Sequence, residues 1–80
     1  MLHHLIKLGE ALESEVKQSK GRLYFDSVNF GVWVSKSIFY IEKYHKDTFL
    51  VVQMKQSYKE IDYTNNYVFY RLMLDTLKII

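Results

Sequence analysis

The chain has 80 residues, of which 49% are hydrophobic and 16% aromatic, with a net charge of +2 and neither cysteine nor proline. Such a chain is one domain, residues 1–80, too apolar to be disordered, and it has no disulfide or thiolate metal site. The eleven basic residues are scattered from Lys7 to Lys78 without a block, which argues against a dedicated nucleic-acid stripe.

The opening run from Met1 to Glu10 has too short an apolar core for a signal peptide. No stretch reaches the ~18 apolar residues of a membrane span. The expectation is a soluble, cytoplasmic protein. Nine lysines against two arginines, with one alanine, match an A/T-rich genome such as that of many phages and Gram-positive bacteria.

Residues 2–20 are predicted to form an amphipathic helix. Leu5, Leu8, Leu12 and Val16 recur at spacings of three and four, with Lys7, Glu10, Glu13, Lys17 and Lys20 on the other side. Glu13 and Lys17 form an i,i+4 pair in the favourable order, worth about 0.3 kcal/mol. Gly21 stands where a left-handed C-terminal cap belongs. Gly9 weakens the helix by ~1 kcal/mol relative to alanine, and marks either a close approach of a neighbouring backbone or a fray point.

Residues 22–63 are predicted to form an antiparallel sheet. Leu23 to Phe25 is followed by a turn at Asp26-Ser27, and the run Val28 to Val34 then alternates for seven residues. Ile38 to Tyr44 and Thr48 to Lys55 are two further strands, separated by a turn at His45-Lys46-Asp47. Residues 58–63 read as a short edge strand or loop, although Ser57 and Glu60 mimic a capping box that would open a helix.

The final segment, from Asn65 to Ile80, is predicted to be a helix with almost no polar face. Only Arg71, Asp75 and Lys78 form a polar stripe, at i, i+4 and i+7. The fold class that results is α+β: an N-terminal helix, a three- to four-stranded antiparallel sheet and a C-terminal helix.

This sheet would be apolar on both faces. Leu23, Phe25, Phe30, Val32, Val34, Leu50, Val52 and Met54 line one face, while Tyr24, Trp33, Tyr40 or Phe39, Phe49 and Val51 line the other. Either each helix covers one face, or both pack on one and leave an aromatic face for a second copy or another protein. A chain this small buries only about 60–65% of its unfolded surface, which favours the second arrangement. The expected function is a small non-enzymatic protein-binding module that also self-associates as a homodimer. Trp33, Tyr40, Tyr67, Tyr70, Leu74 and Leu77 are the candidate contact residues, since buried Trp and Tyr dominate hot spots. Small size and A/T-biased composition extend this to a phage or mobile-element inhibitor of a host protein.

Catalytic and ligand signals are thin. No nucleophile elbow or phosphate-binding glycine loop is present. His3 and His4 are adjacent and point about 100° apart on a helix, so they do not share a metal. His45 sits in a turn beside Lys46 and Asp47, and Asp26, Glu42, Asp47, Glu60 and Asp62 stand at strand ends and turns. No cofactor and no metal are expected. One alternative is single-stranded nucleic-acid binding on the aromatic sheet face, with Trp33, Tyr24, Arg22 and Lys36 as a stacking platform. Another is a small-ligand or catalytic pocket between subunits, drawing on Arg22, Tyr24, Asn29 and Arg71.

Overall fold

The computed structural model describes residues 1–45 and 48–80, so the predicted turn at Lys46 and Asp47 lies outside the described residues. The chain forms helix α1 (Leu2–Ala11), a 3-10 turn (Leu12–Glu15), strands β1 (Lys17–Ser19) and β2 (Arg22–Tyr24), then helices α2 (Val28–Tyr44), α3 (Thr48–Lys59) and α4 (Asn66–Ile79). The described residues thus form four helices and one small antiparallel hairpin, and the predicted three- to four-stranded sheet is overturned.

The reason lies in two overlapping periods. Val28 to Val34 alternates cleanly, yet Phe30, Trp33, Val34, Ser37, Ile38 and Ile41 also recur at helical spacing, and these six are the residues that α2 buries. Ser27 decides the start: its Oγ accepts a hydrogen bond from the Phe30 N–H at 3.3 Å, an N-cap that a strand has no use for. Seventeen residues of continuous helix then outweigh a seven-residue alternation. In α3 the residues turned toward the core, Leu50, Val51, Met54 and Tyr58, follow the same helical spacing.

The first predicted helix ends early. Glu13 lies in the 3-10 turn and Lys17 in β1, so the expected i,i+4 pair does not form. Lys17 instead pairs with Asp26 at 2.8 Å, and that hydrogen-bonded carboxylate raises the lysine's pKa. Gly21 is left-handed as expected, at φ +76, but in the hairpin loop rather than at a helix end. With Lys20 also at positive φ (52) and Ser19 opposite Arg22, Lys20-Gly21 is a two-residue turn of the kind that matches strand twist.

Residues 60–65 form a loop held by its own side chains. The Asn65 Oδ1 accepts from the Asp62 N–H at 2.8 Å, and the Asp62 carboxylate accepts from both the N–H and the hydroxyl of Thr64. Those Thr64 bonds hold the Asp62 carboxyl below its usual pKa. Glu60 opens no helix; its carboxylate accepts from Gln56 Nε2 at the end of α3.

Helix α4 starts within a residue of its predicted place and forms the centre of the core. It buries Phe69, Tyr70, Met73, Leu74 and Leu77 against α1, α2 and β2. Phe25, at the end of the hairpin, is enclosed by aromatic rings: it stacks on Phe30 at 4.8 Å and meets the edge of Tyr70 at 4.8 Å. Gly9 marks a close approach, made by side chains rather than backbone. A β-carbon there would stand 2.6 Å from Trp33 Cζ2 and 2.9 Å from Leu74 Cδ1. No helix among the described residues is long and apolar enough to cross a membrane.

Candidate functional site

Helix α2 carries apolar residues on two opposite faces. Its inner face fills the core. Its outer face carries Val28, Val32, Ser35 and Phe39, spaced four, three and four, a narrow seam that points away from the buried set at 3.6 residues per turn. Val28 is 82% exposed, Val32 47% and Phe39 64%. The chain has therefore completed a core and still left an apolar seam uncovered on one of its central helices.

Two concavities flank that seam along the contact of α1 with α2. The larger, about 420 Å³, is lined by Met1, Leu5, Phe39, Tyr40 and Tyr44, with His4, Ser35, Lys36 and Lys43 completing its wall. No carboxylate lines it. The smaller, about 300 Å³, lies toward the other end of α1 and is lined by Leu8, Leu12, Glu15, Asn29, Val32 and Lys36 among others. Lys36 borders both. Among the described residues neither Lys36 nor Lys43 forms an ion pair; Lys43 Nζ lies 5.4 Å from the Tyr44 ring centre. Four other cations are paired, Lys17 with Asp26, Arg71 with Glu13 at 3.3 Å, Lys78 with Glu10 at 3.4 Å, and Lys55 with Glu42, whereas Lys7, Lys20, Arg22 and Lys59 form no ion pair among the described residues. Arg71 and Lys78, read as part of a polar stripe, thus reach across from α4 to Glu13 of the 3-10 turn and Glu10 of α1.

The structure separates the residues predicted for an interface. Trp33 is 2% exposed, and its indole Nε1 donates to the Leu5 carbonyl at 2.8 Å. Tyr70 is fully buried and donates its hydroxyl to the Gly9 carbonyl at 2.6 Å; burial pushes its pKa up to about 12. Leu74 and Leu77 are core residues as well. Tyr67 is half-buried and donates to Glu13 at 2.9 Å; burial first, and that hydrogen bond second, raise its pKa. These five are placed inward because α1, α2 and the hairpin, rather than a sheet, surround α4. Of the six, Tyr40 lines the larger α1–α2 concavity, and the edge of the buried Trp33 reaches the wall of the smaller one.

The stacking platform is not assembled either. Arg22 and Tyr24 line a shallow concavity of about 520 Å³ beside the hairpin, with Lys20 and Tyr63. Tyr24 meets Tyr63 edge-on at 5.7 Å. Trp33 is in the core, and Lys36 belongs to the α2 groove. Of the four residues considered for a small-ligand pocket, only Arg22 and Tyr24 share a cavity; Asn29 donates to Glu15 at 3.2 Å and Arg71 is held by Glu13. His45 is exposed at the C-terminal end of α2, and His4 joins the groove wall.

Sequence reasoning missed Val32 and Phe39 as an outward pair. The signal was present: Val28, Val32, Ser35 and Phe39 fall on one stripe as soon as residues 28–44 are read as a helix. Compared with known proteins, the chain matches no family model, no curated protein and no solved structure.

Proposed function

We infer that this chain is a non-enzymatic protein-binding module, in which a helix of the partner lies along the outer face of α2. One observation carries the reading: an apolar seam with helix-pairing spacing stays exposed on α2 although the opposite face of that helix is fully used by the core. Contiguous apolar surface of this kind marks interaction sites, and a seam flanked by a groove suits an amphipathic helix whose own apolar residues fill it. Phe39 is the natural anchor, being the largest exposed side chain on the stripe and part of the wall of the larger concavity. The narrower idea of a phage or mobile-element inhibitor draws on size and composition alone, and no feature of the groove adds to it.

The test is an amide NMR titration with synthetic amphipathic helical peptides whose polar faces are neutral, acidic or basic. Resonances from Val28 to Lys43 and from α1 are expected to shift with at least one of them, and those of the hairpin to stay in place. Shifts confined to Arg22, Tyr24 and Tyr63, or no shifts with any peptide, contradict the reading.

A further inference from the structure

We propose that the partner helix is acidic: it carries two carboxylates two turns apart that pair with Lys36 and Lys43, and an apolar anchor that enters the concavity walled by Leu5, Phe39, Tyr40 and Tyr44. The inference rests on the α2 face being a helix-binding surface and adds the chemistry of the occupant. Lys36 and Lys43 are seven residues apart, so their α-carbons are separated by about 10.5 Å along the axis, which matches i and i+7 on a second helix. Both border the concavity, both lack an ion-pair partner among the described residues, and no carboxylate lines its wall. The charge around this concavity is therefore positive, the nearest groove carboxylate being Glu15 on the smaller concavity beyond Lys36, and complementary charge selects what docks there.

Two other occupants fit less well. A second copy would pair its α2 antiparallel about a two-fold near Ser35, the middle of the seam. Equivalent flanks meet across such an axis, so Lys36 would face Lys36 of the other copy, a like-charge contact. A small amphiphilic anion would fill the concavity and leave Val32 and Val28 uncovered, about two helical turns of apolar seam beyond Ser35.

The experiment uses the full chain and two labelled helical peptides of identical apolar seam, one with Glu and one with Lys at the two paired positions, followed by fluorescence anisotropy. The Glu peptide is expected to bind about tenfold more tightly at low salt, the gain of two partly exposed charge pairs, and to lose most of that margin at high salt. Lys36→Glu with Lys43→Glu is expected to reverse the preference, and Phe39→Asp to weaken both peptides. All three side chains are exposed, so circular dichroism should confirm that each variant keeps its fold. Equal affinity for the two peptides overturns the charge inference while leaving the helix-binding reading intact. Failure of both peptides to bind overturns both. A mass that doubles with concentration and is reset by Phe39→Asp assigns the face to a second copy, and one-to-one binding of a medium-chain fatty acid that displaces the Glu peptide assigns it to a small amphiphile. Either result overturns the proposal.

Discussion

At the scale of residues, the fold depends on a few side chains that stand in for backbone. Asn66 is buried at the start of α4, where its Oδ1 accepts from the Phe25 N–H at 2.9 Å and its Nδ2 donates to the Phe25 carbonyl at 2.7 Å. One amide thus satisfies both backbone polar groups of the buried residue Phe25 and fastens the hairpin to α4. Asn66→Ala leaves both groups buried and unpaired, which should cost about 2–4 kcal/mol in urea unfolding. Asn66→Asp should be nearly as harmful, because a carboxylate cannot donate to the Phe25 carbonyl. A loss below about 0.5 kcal/mol in both would show that the clamp is dispensable. Ser37 is the opposite case. Its hydroxyl is fully buried in α2 with no hydrogen-bond partner among the described residues, so Ser37→Ala removes an unmet polar group and improves helix propensity. The expected result is unchanged or higher stability, by up to about 1 kcal/mol. A clear loss of stability would mean that the hydroxyl has a partner after all.

At the scale of elements, α1 is held by what its neighbours place on its backbone. Trp33 from α2 and Tyr70 from α4 donate to the carbonyls of Leu5 and Gly9, one turn apart, and the Trp33 ring lies where a β-carbon of residue 9 would be. Gly9→Ala gains about 1 kcal/mol in helix propensity. It also forces the Trp33 ring and Leu74 to shift in a filled core, which costs about 1–3 kcal/mol and more when the obstacle is a rigid ring. Thermal unfolding is therefore expected at a lower temperature in Gly9→Ala; a higher one would show that Trp33 has room to move. Legibility at this scale was uneven. Helix α4 could be read because apolar residues surround it while Thr64, Asn65 and Asn66 mark its start. Helix α1, the first half of the helix predicted over residues 2–20, could be read from its spacing. The middle of the chain could not, because Val, Ile, Phe and Tyr favour strands locally, and the runs they form here fit both periods. The choice was made by packing: Phe30, Trp33, Val34, Ile38 and Ile41 reach one core only if the backbone is helical. Gly21 shows a subtler ambiguity, since the need for positive φ is the same in a helix cap and a hairpin turn.

At the scale of the whole molecule, the excess of apolar residues was legible but its location was not. The sequence holds more apolar side chains than a small monomer is expected to bury, and the structure leaves Val28, Val32, Phe39, Phe49, Val52, Val68, Leu72 and Ile79 exposed. A sheet would have put Trp33 on the open face and made it the contact residue. A helix turns Trp33 inward and Phe39 outward, so the proposed contact surface moves from the sheet to the α1–α2 groove. This also removes the physical basis for base stacking on Trp33. Everything proposed for the groove depends on that orientation of α2, and the chain has a single tryptophan with which to check it. The measurement is quenching of Trp33 fluorescence by acrylamide in the folded protein and in urea. The account predicts blue-shifted emission and weak quenching in the folded state, both abolished on unfolding. Emission and quenching in the native protein equal to those of the unfolded chain would place Trp33 on the surface and contradict the inward face of α2, and with it the outward seam.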